Sequence, residues 1–522
     1  MNRREFFDKT MKLVAGGLIV PSLSRRSQAQ SWFPAMPSGR LRQLRDLDVL
    51  DGKILVIVNL SGGNDGLNTV VPVNDSLYYG ARDNIAIAPQ DAVLLDADTG
   101  LHPNLAPIEG LYTGGRMAIV RGVSYPQPNL SHFRSTDIWF SGSSSNEEVG
   151  TGWLARYIEA TFPDFPDQLP FAPYGLQQGI AHEIPLKGDR GNIGVVVDNP
   201  DTFFQLVNQN YTGEWNDELP ETRGGDELGY LREVDQATFM YADAISQAAD
   251  SGVNSVAYPQ TTLGVQLEIV ARLISGALDT PLYLTAEFGF DTHVNQLGQH
   301  ANLMSSLGDS VAAFFQDLDN QGLSDRVVLA TVSEFGRRVD ENGGFGTDHG
   351  TAAPLFVIGA GVNGGLYGTN PDLANLDGNG NMLMQHDYRS VYSTLLQGHF
   401  RASENVSNQV LMGAYEALDF MDIQTGASPP PTSNRILRAY PNPVSLSQSG
   451  PVLIQFELAR TSRVEVQVFD VRGRKISAMG GRSFPAGSHR MVWEAKGVPT
   501  GMYFAKIKAD SWEASEKLLV LP

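Results

Sequence analysis

The sequence predicts an α/β domain, a mostly parallel central sheet flanked by helices, followed by a small all-β sandwich of immunoglobulin-like type. Three observations carry this reading. First, the apolar runs Lys53–Leu60, Pro281–Ala286 and Val327–Val332 each break into a glycine-containing or polar loop, the pattern of buried strands that end at a sheet edge. Second, Thr261–Ala277 places Leu263, Leu267, Val270, Leu273 and Ile274 on one broad helical face, and Leu303–Leu318 reads as a second, long helix. Third, the short runs Val452–Leu458, Val464–Phe469, His489–Trp493 and Met502–Ile507 alternate or nearly alternate, with turn residues at Asp470–Gly473 and Pro485–Gly487 between them.

Composition bounds the function. A chain of 522 residues exceeds one ordinary core, so two or more domains are expected. The 38 Lys+Arg against 58 Asp+Glu leave a formal charge of −20, which repels phosphate backbones and argues against a nucleic-acid partner. There is no cysteine, which excludes disulfides, thiolate metal sites and cysteine nucleophiles.

The two ends read as export devices. Asn2-Arg3-Arg4-Glu5-Phe6-Phe7, the apolar run Met11–Leu23 and the small-x-small Ser27-Gln28-Ala29 resemble a twin-arginine signal peptide spanning residues 1–30. No other segment reaches the ~18 apolar residues of a membrane span, so no transmembrane segment is expected in the mature chain. A main domain is expected over residues 31–425, a spacer at 426–434 containing Pro429-Pro430-Pro431, and the sandwich over 435–522. Tyr440-Pro441-Asn442-Pro443, the turn Asp470–Arg474, Gly487-Ser488-His489, Gly501–Phe504 and Lys517–Val520 resemble the C-terminal sorting domain of type IX secretion cargo. The leader implies twin-arginine machinery and transit through the periplasm, and the sorting-domain resemblance implies type IX machinery and delivery to the cell surface or beyond.

Chemistry is expected where strands end, because loops at that edge of an open α/β sheet are exposed while the strands beneath hold them rigid. After the first strand, Gly62-Gly63-Asn64-Asp65-Gly66 exposes Asp65, which reads equally as a metal carboxylate and as part of an Asn-Asp-Gly turn. Asn129 or Ser131 can cap a helix whose apolar positions are Phe133, Ile138 and Trp139. A hydroxyl there feels the positive end of the helix dipole, so Ser131 is a candidate nucleophile, or else a plain cap with His132 and Arg134 on the surface. Asp291 and His293 lie two apart, so on an extended segment they leave from one side, which suits two ligands of one cation. Glu334, Asp348 and His349 complete the candidate ligands, and a mixed carboxylate–imidazole set suits a divalent metal of the Zn or Mn kind. Arg134, Arg337 and Arg338 are candidate grips for substrate oxygens.

The runs GGNDGLNTVVP, LHPNLAPIEGLY, SHFRSTDIW, TGWLARY, GFDTHVNQ, SEFGRRVDENGGFGTDHGTAAPLFVIG and HDYRSVY together resemble the exported bacterial family of unknown function DUF1501, which in turn is similar to the alkaline phosphatase, sulfatase and phosphoglycerate mutase superfamily. The resemblance implies an alkaline-phosphatase-like fold holding one or two divalent ions. In it Asp65 takes the first-strand role, Ser131 the nucleophile's, Asp291 and His293 the Asp-then-His pair, and His349 the histidine before the last Pro-bearing strand. Glu334 stands where an Asp-His dipeptide is usual, so one imidazole is missing. The function this implies is metal-dependent hydrolysis of a phosphate or sulfate ester, small or polymeric. The alternative is a non-catalytic cell-surface binding protein that keeps the fold.

Overall fold

The structure is a computed structural model. It describes residues 50, 52–162, 165–166, 170, 172–179, 182–197, 241–242, 244–423, 435–440, 444–445, 452–484, 487–493, 498–510 and 512–521. The expected signal peptide and spacer lie outside the described residues.

The central sheet is built from β1 (Ile54–Ser61), β2 (Met117–Ser124), β3 (Gly175–Gln177), β4 (Gly194–Val196), β5 (Leu282–Phe288), β6 (Val327–Val332), β7 (Ala353–Gly359), β8 (Gly365–Tyr367) and β9 (His386–Asp387). Its order is β8-β2-β7-β6-β1-β5-β3-β4, with β9 also paired to β2. Every pairing is parallel except the two made by β7, which runs against both β6 and β2. The sheet is therefore mixed and mostly parallel, as the apolar runs predict.

Strand β1 shows why helices must cover both faces. Ile54, Val56, Val58 and Leu60 join one buried core while Leu55 and Ile57 join another. A strand apolar on alternate sides at every residue has no face left for water. On the first face lie α3 (Thr262–Ser275) and α4 (Gln296–Asn320); on the second lie α1 (His132–Ser141), α2 (Trp153–Thr161) and α5 (Tyr388–Thr394). Thr261 caps α3, its hydroxyl accepting from Gly264 N at 3.1 Å. Helix α4 begins seven residues before the expected Leu303. Its first turns are polar, so apolar periodicity does not mark them, yet they are buried at Gln296 and His300.

Register brings the functional edge together. Asn59 of β1 pairs with Ala286 of β5 and with Val332 of β6, so these strands finish side by side. The loop after β5 carries Asp291 and His293, and the one after β6 carries Glu334. The antiparallel β7 starts at this edge, which places His349 just before it. Strand β2 ends here too and leads into α1. Behind β1 the chain turns through Gly62 and Gly63 at φ 123° and 83°. A Cβ on Gly62 would run into the backbone nitrogen of Asp291, and one on Gly63 into the Phe335 ring. Only glycine permits this approach.

The C-terminal unit has β10 (Arg435–Tyr440), β11 (Val444–Ser445), β12 (Val452–Leu458), β13 (Ser462–Asp470), β14 (Lys475–Phe484), β15 (Gly487–Trp493), β16 (Gly501–Ala509) and β17 (Trp512–Leu521). They form a three-stranded sheet, β10-β12-β15, and a five-stranded sheet, β11-β17-β16-β13-β14, antiparallel apart from β11 with β17. Alternate residues Val464, Val466 and Val468 on β13 and Ala505 and Ile507 on β16 are fully buried with Phe456 of β12, the inward half of a sandwich. Among the described residues no helix is long and apolar enough to cross a membrane.

Candidate metal centre at the sheet edge

Asp291 is the hub of the edge. Its Oδ1 lies 3.1 Å from His349 Nε2 and 3.0 Å from His293 Nε2, and its Oδ2 lies 3.5 Å from His132 Nε2. The two histidines His293 and His349 approach through their Nε2 atoms at 3.0 Å. Donor atoms of His132, Asp291 and His349 all fall within 4.8 Å of one another, a group that can hold a metal ion.

Each ring is held from behind. Nδ1 of His349 lies 2.9 Å from the carbonyl of Leu130, and Nδ1 of His132 lies 2.9 Å from Glu334 Oε1. Neither acceptor can donate in return once Glu334 is ionised, so both Nδ1 atoms carry the proton and both Nε2 atoms are bare in the neutral rings. Phe335 packs against His349 and His132, at centroid distances of 4.5 and 4.9 Å. His293 is looser: its Nδ1 meets the exposed Asp348 at 3.3 Å, and Asp348 also accepts from Asn342 Nδ2 at 3.1 Å.

Arg337 fixes the hub. It is fully buried, and its guanidinium donates to Gly63 O at 2.7 Å, Thr347 O at 2.9 Å, Phe290 O at 2.9 Å, Gly62 O, and Asp291 Oδ1 at 2.7 Å. Burial would raise the Asp291 carboxyl, but the hydrogen bond from Arg337, the neighbouring His349 ring, and the charges of Arg337 and His293 bring it down to about 2. Hydrogen bonding to Glu334 raises His132, whereas burial lowers His349.

A carboxyl depressed in the fold stabilises it above its unfolded pKa and ceases to do so as pH falls through the folded value. Asp291 therefore contributes fully above pH 4 and loses its contribution between about 4 and 2. Urea midpoints of metal-free protein at pH 7, 5, 4 and 3 should show Asp291→Asn falling less steeply below pH 4 than wild type. Parallel curves would contradict this.

The remaining expected site residues sit differently. Asp65 is not exposed: it is 1% accessible, and its side chain is paired with Arg82 at 2.6 Å. Oδ1 accepts from Leu67 N and Asn68 N, capping the short helical turn Gly66–Thr69, and Oδ2 also accepts from Gln296 Nε2. Burial would raise this carboxyl, but Arg82, His300 and Gln296 hold it below the ordinary value. It stands in an ion pair rather than in the cluster. Glu334 is buried, its Oε1 shared by His132 and Gly62 N–H (2.8 Å), so it sits behind a ring instead of beside the other donors.

Ser131 is the N-cap of α1 and is exposed, with no side-chain cap hydrogen bond. Arg134 is turned onto the carbonyls of Ser145 (3.3 Å) and Glu147, away from a gripping role. Arg337 is likewise committed to the protein's own oxygens. His132, given no role from sequence beyond a surface place if Ser131 is a plain cap, belongs to the cluster. Its only sequence signal is its place beside the candidate nucleophile at a helix start.

Residues 223–411 match the family model described as protein of unknown function, DUF1501, and residues 438–521 match the secretion system C-terminal sorting domain. The middle of the chain is thus similar to DUF1501 and its C-terminal end to the type IX sorting domain. The DUF1501 match holds Asp291, His293, Glu334, Asp348 and His349. The sorting domain points to secretion by the type IX system, to the cell surface or the extracellular space. No curated protein matches the chain. Among solved structures the chain is similar to PsFucS1 sulfatase from Pseudoalteromonas sp., at 11% identity over 88% of each chain with a TM-score of 0.33. It is also similar to an alkaline phosphatase superfamily protein from Vibrio parahaemolyticus, at 11% identity over 83% of this chain and 81% of that one with a TM-score of 0.29. PorZ, a surface component of the type IX secretion system of Porphyromonas gingivalis, is similar over 19% of this chain at 16% identity, with a TM-score of 0.14; the match spans 13% of PorZ. The α/β domain itself is a mostly parallel sheet with helices on both faces.

Proposed function

We propose that the protein is an exported, metal-dependent hydrolase of phosphate or sulfate esters, with one divalent ion of the Zn or Mn kind held by His132, Asp291 and His349. The observation that supports this is the convergence of two imidazoles, each anchored through Nδ1, whose bare Nε2 atoms face a single carboxylate. Lone pairs of like character aimed at one oxygen pair repel unless a positive centre lies between them, and nitrogen and oxygen donors together suit these metals. A bound ion of this class supplies Lewis acidity toward an ester oxygen or an attacking hydroxyl.

The chain's own residues would do the rest. Arg337 keeps the Asp291 carboxylate ionised and aimed. Ser131, free of a capping bond at the start of the ten-residue α1, is the candidate attacking hydroxyl, and the first N–H groups of α1 would favour the anion that forms. His293 lies against His349 and is partly exposed to solvent. We further propose a route through the twin-arginine pathway to the periplasm before type IX export, which the Arg3-Arg4 leader supports.

Elemental analysis of the purified protein should find bound divalent metal. Aryl phosphates or aryl sulfates should be cleaved, with activity lost to a chelator and restored by Zn or Mn. Protein that binds no metal and leaves both substrate series intact would be a binding protein instead.

A further inference from the structure

Resting on the proposed cation site, we propose that Glu334 is the positioning residue for His132 and not itself a ligand. Its Oε1 is fixed by the Gly62 N–H at 2.8 Å and in turn takes the Nδ1–H of His132 at 2.9 Å, which directs Nε2 toward Asp291. The carboxylate cannot drift, because Glu334 is buried and its own backbone carbonyl accepts from the Trp139 indole at 2.9 Å. Trp139 lies on α1, seven residues beyond His132. One residue thus ties strand β6 to both the ring and the helix that carries it.

The other oxygen is where the two roles can be told apart by experiment. With Oε1 taken by two donors, a bond from Glu334 to a cation would have to run through Oε2. That oxygen is buried and has no hydrogen-bond partner among the described residues. The glycine pair after β1 gains its meaning here. Gly62 gives its N–H to Glu334 and its carbonyl to Arg337, and it lacks the Cβ that would push Asp291 away. A single residue therefore bears on the orientation of His132 and of Asp291 together.

Two variants distinguish the roles. Glu334→Gln keeps a carbonyl oxygen for the two N–H donors but puts an amide, which cannot ligate, at the Oε2 position; Glu334→Ala removes both. Zn2+ titration against a chromophoric competitor should show Glu334→Ala binding about 10–100-fold more weakly than wild type, and Glu334→Gln staying within about tenfold of it. If Glu334→Gln is as weak as Glu334→Ala, Glu334 is a ligand and the proposal fails. The metal-free protein supplies an independent readout. Long-range 1H–15N spectra at pH 9, with the His132 signals assigned by loss in His132→Gln, should show the Nδ1–H tautomer in wild type and Glu334→Gln. In Glu334→Ala that preference should be lost. An unchanged tautomer in Glu334→Ala would overturn the proposal even if Zn2+ binding changes. Wild type that binds no Zn2+ would refute the hydrolase reading, while the spectra would still decide the role of Glu334. Thermal melts of each variant establish that the titrated protein is folded.

Discussion

Asp65→Ala is expected to cost about 3–5 kcal/mol of stability, because it strands the buried Arg82 guanidinium without its counter-charge. Arg82 and Asp65 are both wholly buried and 2.6 Å apart. The other donors of Arg82 reach Val339 O (2.8 Å), Asn68 Oδ1 (2.8 Å) and Arg338 O (2.9 Å), dipoles that cannot replace a carboxylate. The same substitution removes the cap of the turn Gly66–Thr69, worth roughly another 0.5–2 kcal/mol. Against a typical total of about 5–15 kcal/mol, the loss should show as a lowered urea midpoint or as insoluble expression. The double variant Asp65→Leu, Arg82→Met, which removes both charges, should recover part of it. If Asp65→Ala instead melts like wild type but comes out of purification short of metal, Asp65 is a ligand and the ion pair is incidental.

This case shows where sequence reading stops. The strand ends were legible because an apolar run that meets glycine or a polar residue is a local signal, and the register of a parallel sheet then aligns such ends. Asp291, His293, Asp348 and His349 were found in that way, and they do lie together. Asp65 satisfies the same local rule. What separates it is Arg82, seventeen residues on, folding back beneath it, and no periodicity records that return. Glu334 was legible as a functional acid, but whether it touches a cation or the histidine in front of one depends on a few ångströms of loop path. His132 was missed for the opposite reason. A lone histidine among Ser131, Phe133 and Arg134 at a helix start has no pattern of its own, and only the packing of α1 against the end of β6 gives it a partner. The reversed direction of β7 was also unreadable, since apolar content is the same either way along a strand. In the sorting domain little was hidden, because alternation in an antiparallel sandwich is itself the packing rule.

His349→Ala should remove metal binding and ester cleavage together while leaving the fold in place. Structural Zn2+ sites bind with about 10–16 kcal/mol shared over four ligands, so losing one ligand costs roughly 2.5–4 kcal/mol, or about 10²–10³-fold in affinity. His349 also fastens its loop to Leu130 and stacks near Phe335 and His132, but the ring is partly open to solvent, and losing one hydrogen bond there costs only about 0.5–1.5 kcal/mol. The two losses thus differ in scale, and isothermal titration with Zn2+ beside a thermal melt resolves them. Asp348→Asn is the control from the same loop. Its carboxylate is exposed and touches His293 and Asn342 rather than Asp291, so its affinity should change only a few-fold. Should His349→Ala bind Zn2+ as tightly as wild type, the cation does not lie between His132, Asp291 and His349, and catalysis at this edge loses its basis.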